Sequence, residues 1–186
     1  GLAGGAAIFA AAPRVKAGWR SGPLPRLSAS QVRRLLDGID RSTASGARDY
    51  ALFALLLATC ARADTVLRLR VGDVVSTPLT VSTSLTQATV HLGGGENLSI
   101  PRWVYDAVQA YLRLAGRGRA GADEYLWLPL GSTKLTQSTQ STVSTQLTPI
   151  SVAAVNKRLR DWLEAAGVEM PERYSTSSLR TYGRVR

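Results

Sequence analysis

Apolar positions recur every three or four residues early in this chain, shift toward every second residue beyond Val74, and return to the longer period after Pro101. Ser28-Ala29-Ser30-Gln31 is a capping box, a hydroxyl followed three residues later by Gln. Val32, Leu35, Leu36 and Ile39 then share one helical face, while Arg33, Arg34 and Asp37 face outward. A loop from Arg41 to Gly46 returns the chain to Tyr50–Ala58, a run that is apolar on every side and predicts a central helix packed all round. That run is too short to span a bilayer, and the charges on both flanks, Arg48-Asp49 before and Arg62 after, agree with a soluble core. Asp64 or Thr65 is placed to cap a short second helix, and Leu67 to Val74 alternates like the entry to a strand.

Val75 to Val81, Ala88 to Leu92 and Asn97 to Ile100 read as three short strands, with Gly93-Gly94-Gly95 as a tight connection. No Gly-Lys-Ser/Thr follows these glycines, which argues against a phosphate-cradling loop. Pro101 opens a helix at Arg102 with Val104, Val108, Tyr111 and Leu112 inward, ending near Gly116. Arg117-Gly118-Arg119 reads as a small exposed basic turn, and Glu124 to Leu130 as a short apolar stretch. Ser151 caps a last clear helix, with Val152, Val155, Leu159, Trp162 and Leu163 on one face, Lys157, Arg158 and Arg160 on the other, and Gly167 at its end.

Composition narrows the partners. Of 186 residues, 23 are Lys or Arg against 13 Asp or Glu, a net charge of +10, and most of the bases are the arginines suited to gripping phosphate with parallel hydrogen bonds. A nucleic-acid or other anionic partner follows. The lone Cys60 excludes a disulfide framework or a cysteine zinc site, and the lone His91 excludes the usual His-rich metal sites. No cofactor or metal is expected, and an intracellular, reducing compartment is the default.

Residues 1–26 read as an N-terminal segment and basic linker: Leu2 to Ala12 is small and apolar, Pro13 to Arg34 carries bases and no acid, and Pro23-Leu24-Pro25 is extended. Leu2 to Ala12 lacks the basic start of a secretory signal, while an organelle transit peptide is the alternative for this end. A five-residue unit, Ser-Thr-x-Leu-Thr, recurs in the stretches 76–86 and 131–149 and reads as low-complexity expansion in loops or a hairpin.

Two strings carry a family likeness. Ala47 to Val74 contains a buried helix, the turn Thr59-Cys60-Ala61-Arg62, and Leu69-Arg70-Val71-Gly72-Asp73-Val74; Ser177-Ser178-Leu179-Arg180-Thr181-Tyr182 lies near the other end. The first resembles the Thr-Gly-Leu-Arg box of the tyrosine recombinase (phage integrase) family, and the second its His-x-Leu-Arg box. Over residues 27–186 the resemblance implies a mixed α+β, mainly helical catalytic-like domain, with a small three-stranded antiparallel sheet packed on a helical core. It implies that Arg62 and Arg180 clamp a DNA phosphate, and that Ser177 stands at the histidine position. The acidic residue three positions after the first arginine is replaced by Thr65, with Asp64 as a substitute.

The likeness also exposes departures. The family's hairpin lysine is missing, since the chain reads His91-Leu92-Gly93-Gly94-Gly95-Glu96-Asn97 there, and Ser177 cannot shuttle a proton near neutral pH. The family's later His/Trp and nucleophilic tyrosine fall beyond Arg186, so the domain reads as incomplete at its C-terminus; Tyr174 and Tyr182 fit packing positions instead. The expectation is a domain that binds the DNA backbone without cutting it as an isolated chain, in the cytoplasm or nucleoid. Arg68, Arg70, Arg102, Lys157, Arg158 and Arg160 are candidates for phosphate contacts. Homo-oligomerisation on DNA is left open. The alternative is reuse of the fold as a basic structural subunit of an RNA-containing complex.

Overall fold

A computed structural model describes residues 25–76, 87–129 and 148–183. The N-terminal segment before Pro25, the expected strand residues 77–81 and most of the Ser/Thr repeats lie outside these residues. Within the described residues six α-helices and one sheet run in the order α1 (Ala29–Gly38), α2 (Ala44–Thr59), α3 (Ala63–Leu67), β1 (Val74–Ser76), β2 (Gln87–Leu92), β3 (Glu96–Pro101), α4 (Arg102–Leu114), α5 (Val152–Ala165) and α6 (Thr176–Gly183).

The capping box predicted for α1 forms: Ser28 Oγ accepts the Gln31 amide, and Gln31 Oε1 accepts the Ser28 amide. Val32, Leu35 and Ile39 enter the core from its apolar face. The central helix begins earlier than its apolar run suggests, because Thr43 Oγ1 accepts the Gly46 amide at 3.0 Å and starts the helix at Ala44. It is buried on nearly every side from Gly46 to Leu56. Helix α4 lies against it, as do α6, α3 and β3.

The three strands form one antiparallel sheet in the order β1-β2-β3. Its buried face alternates as a half-buried sheet requires, with Ala88, Val90, Leu92 and Ile100 inward. Leu92 pairs with Glu96 across the glycine turn, where Gly94 (φ +86°) and Gly95 (φ +84°) take the left-handed conformations that glycine adopts without a steric cost. Pro101 ends β3, and the next residue starts α4, which buries Val104, Val108, Tyr111 and Leu112 as its spacing predicts.

The apolar stretch after Glu124 packs inside. Leu126 and Trp127 are fully buried; the Trp127 ring stacks on Tyr111 at 5.7 Å and its Nε1 donates to the Val66 carbonyl at 2.8 Å. Arg117 departs from the exposed basic turn expected of it. Its guanidinium donates to the carbonyls of Leu126 and Tyr125 and pairs with Glu124, closing the loop after α4. Among the described residues no helix is long and apolar enough to cross a membrane.

Candidate phosphate-binding cleft

The cleft begins where α2 stops. Thr59 Oγ1 turns back to the Leu55 carbonyl at 2.8 Å, and Cys60 adopts a left-handed conformation (φ +52°) with its amide on the Leu56 carbonyl. A left-handed residue at this place ends a helix and swings the chain aside. Arg62, rather than Asp64 or Thr65, then occupies the N-cap position of α3, its carbonyl accepting the Val66 amide at 3.1 Å. Asp64 falls in the first turn, where a carboxylate suits the positive end of the helix. The Arg62 side chain is left exposed, with no ion pair among the described residues.

The opposite wall comes from α6, which the sequence reading did not recognise as a helix. Leu179 and Ser178 are fully buried against the core, so Ser177 and Arg180 fall toward the other side. Arg180 donates its Nε–H to the Cys60 carbonyl at 3.1 Å. That bond uses one of five guanidinium donors and leaves the others for a ligand. Arg62, Asp64, Thr176, Ser177 and Arg180 line one cleft of about 390 Å³, together with Ala61, Ala63 and Val152. Two guanidiniums against one carboxylate give it a positive balance.

A larger cleft, about 570 Å³, shares Asp64 with the first and runs between α3 and the β2–β3 hairpin. Arg68, Asp73, His91 and Asn97 line it. His91 Nδ1 lies 2.6 Å from Asn97 Oδ1 across the strand pair. An amide oxygen only accepts, so Nδ1 is the donor in this bond.

The remaining candidate phosphate ligands divide by what they already hold. Arg158 donates its Nε–H to Asp49 Oδ2 at 2.7 Å, with Nη2 in ion-pair contact with the same oxygen at 2.7 Å, and so braces α5 against α2. Arg70 donates to the Asp123 carbonyl and lies over the Tyr125 ring. Arg102 pairs with Asp106, Lys157 with Asp161, and Arg160 donates to the Asn156 carbonyl. Arg68 alone of the six is exposed without such a partner among the described residues. The two ion pairs on exposed helix surface, Arg102–Asp106 and Lys157–Asp161, are weak and leave their cations accessible; Arg158 is instead held by a buried carboxylate.

Two functional features escaped the sequence. Arg48-Asp49 is not a solvated flank but a buried pair: Asp49 takes Arg48 on Oδ1 and Arg158 with Trp162 Nε1 on Oδ2, while Arg48 also donates to the Leu128 carbonyl. The partners are more than 100 residues apart in part, so no local pattern signals them. The second is Asn156, whose Oδ1 accepts the first amide of α6, from Thr176, at 2.9 Å.

No protein-family model matches this sequence, and no curated protein does. Solved structures do. A XerH site-specific recombinase bound to its difH substrate, in a pre-cleavage complex, superposes with a TM-score of 0.57 at 16% identity, over 86% of this chain and 41% of that one. The post-cleavage complex of XerH with palindromic difH gives a TM-score of 0.56 at 16% identity, over 85% of this chain and 40% of that one. The XerA recombinase gives 0.54 at 18% identity, over 90% of this chain and 50% of that one. The chain thus spans half or less of the length of each of these proteins. Its fold is similar to the catalytic domains of tyrosine recombinases.

Proposed function

We propose that this chain is a recombinase-like DNA-binding domain that grips a backbone phosphate between Arg62 and Arg180 and does not cleave DNA as the isolated chain. The observation that carries this reading is the single cleft in which those two arginines, 118 positions apart in sequence, meet beside Ser177. Arginine presents its donors in a planar fork matched to phosphate oxygens, and two forks around one cavity suit one anion. The net charge of +10 draws a polyanion to the surface, and the XerH structures of similar fold hold their difH substrate.

Cleavage would need a nucleophile and a proton donor at the phosphate. Ser177 and Thr176 carry hydroxyls that do not ionise near neutral pH, and no tyrosine lines the cleft among the described residues. The glycine hairpin has no lysine either. On this reading the cleft binds and orients a phosphodiester, and no lysine, histidine or tyrosine lines it among the described residues.

Duplex binding followed by fluorescence anisotropy at two or more salt concentrations tests the reading. Affinity should fall steeply with salt through counterion release, with little sequence preference. Absent or salt-independent binding removes it. An RNA that displaces the duplex at equal nucleotide concentration would instead favour the nucleoprotein-subunit alternative.

A further inference from the structure

Helix α6 is short and rich in Ser and Thr, which favour caps and turns over helix interiors. Its placement therefore depends on what holds it from outside. Leu179 docks its middle into the core. Its start is held by Asn156 of α5, whose Oδ1 accepts the Thr176 amide at 2.9 Å. Thr176 is buried, and the first amide of a helix has no intrahelical acceptor, so without Asn156 a buried donor is orphaned. Helix α5 is itself fixed, since Arg158 and Trp162 both reach Asp49 of α2.

We propose that Asn156 is a positioning residue of the arginine cleft: by holding the first amide of α6 it sets Ser177 and Arg180 against Arg62. It does not line the cleft, so it acts only through the helix it holds. The inference rests on the phosphate-binding reading for its ligand, but the placement of Arg180 can be measured without one.

The DNA-free reporter is the Arg180 Nε–H, which the Cys60 carbonyl accepts. In the wild-type chain its exchange with solvent, followed by NMR, should be slowed. In Asn156→Ala it should lose most of that protection while the core amides of α2 keep theirs. Duplex binding is the second arm. Asn156→Ala should weaken affinity on the order of fivefold and flatten the dependence of log K on log salt by about 0.9, one phosphate contact. Arg180→Ala should flatten the slope equally and weaken affinity by roughly tenfold at low salt, and the double variant should lie within roughly twofold of Arg180→Ala, as expected of residues acting in series. Should Asn156→Ala fail to fold, Asn156→Gln keeps the amide but displaces the acceptor by a methylene, and the same loss is expected. A folded Asn156 variant with wild-type Arg180 protection, or binding losses that add to those of Arg180→Ala, overturns the proposal. Wild-type chain that binds no DNA defeats the phosphate reading, while the exchange measurement still decides the role of Asn156.

Discussion

Arg180 reaches across 120 residues of chain to donate its Nε–H to the main-chain carbonyl of Cys60. The arginine is thereby seated on the same turn that presents Arg62, and the two walls of the cleft are registered by one bond. Charge alone would drive the two guanidiniums apart; the Cys60 carbonyl holds one of them in place, and the Asp64 carboxylate lines the same cleft.

Arg62→Ala and Arg180→Ala should each weaken duplex binding by roughly tenfold at low salt, the scale of one charged hydrogen-bonding group. Because both act on one phosphate, the double variant should lose less than the sum of the two. Anisotropy titrations of the four proteins give the coupling directly. Additive losses would mean that the arginines hold separate phosphates.

No covalent adduct should form with a nicked suicide duplex. A denaturing gel with labelled DNA is the measurement. A shifted protein–DNA band that disappears in Tyr182→Phe would identify an unorthodox nucleophile and defeat the binding-only reading.

Asp49 neutralises the buried Arg48 guanidinium and the partly exposed one of Arg158, so removing its charge leaves both uncompensated. Asp49→Asn should destabilise the fold by about 3–5 kcal/mol, the usual cost of breaking a buried ion pair. Arg158→Met should cost less, since the Arg158 side chain is 34% exposed and its charge partly solvated. Urea midpoints measure both. Arg158→Met that leaves stability unchanged but weakens DNA binding would make Arg158 a ligand rather than a brace.

Gly46 sits in the first turn of α2, where alanine propensity predicts a gain near 1 kcal/mol. A Cβ there would lie 1.7 Å from the Asp40 carbonyl oxygen, which is backbone and cannot swing away. The clash wins: Gly46→Ala should destabilise by about 2 kcal/mol or more. Thermal melts of the two proteins decide the sign.

Glu124 accepts the Gly121 amide and the Arg117 guanidinium, which hold its carboxyl below its ordinary value of 4.5. A depressed folded pKa contributes stability that is fully present above the unfolded value and lost as pH falls through the folded one. With the Glu124 side chain 46% exposed, this is limited to below about 1 kcal/mol. Glu124→Gln should lower the melting temperature slightly at pH 7, and the difference should shrink as pH falls below 4.5. An unchanged difference at pH 3 would assign the effect to packing.

Elements with their own periodicity were legible. The α1 capping box, the inward positions of α4 and the three strands rest on contacts a few residues apart or on strict alternation. Helix α6 was not, because Ser-Thr-Ser-Ser has poor intrinsic propensity and its first amide is satisfied by Asn156, 20 residues upstream. The same limit hid the role of Arg158: from its own helix it reads as a solvated charge, and only Asp49, 109 residues earlier, makes it a brace. Arg62 and Arg180 stood out because each belongs to a recognisable string, although no local feature tells that the strings meet.

The acceptor for Arg180 at position 60 is a carbonyl oxygen, an atom every amino acid supplies. What this position must provide is a backbone able to sit at φ +52°, so its thiol is chemically dispensable while its conformation is not. Glycine adopts that conformation freely, whereas a residue with a Cβ is strained by about 1 kcal/mol there. Cys60→Gly should then raise stability and leave the arginine cleft intact, whereas a β-branched residue such as valine should unseat both arginines at once. Substitutions tolerated at position 60 would sort by torsional preference, with size and polarity secondary.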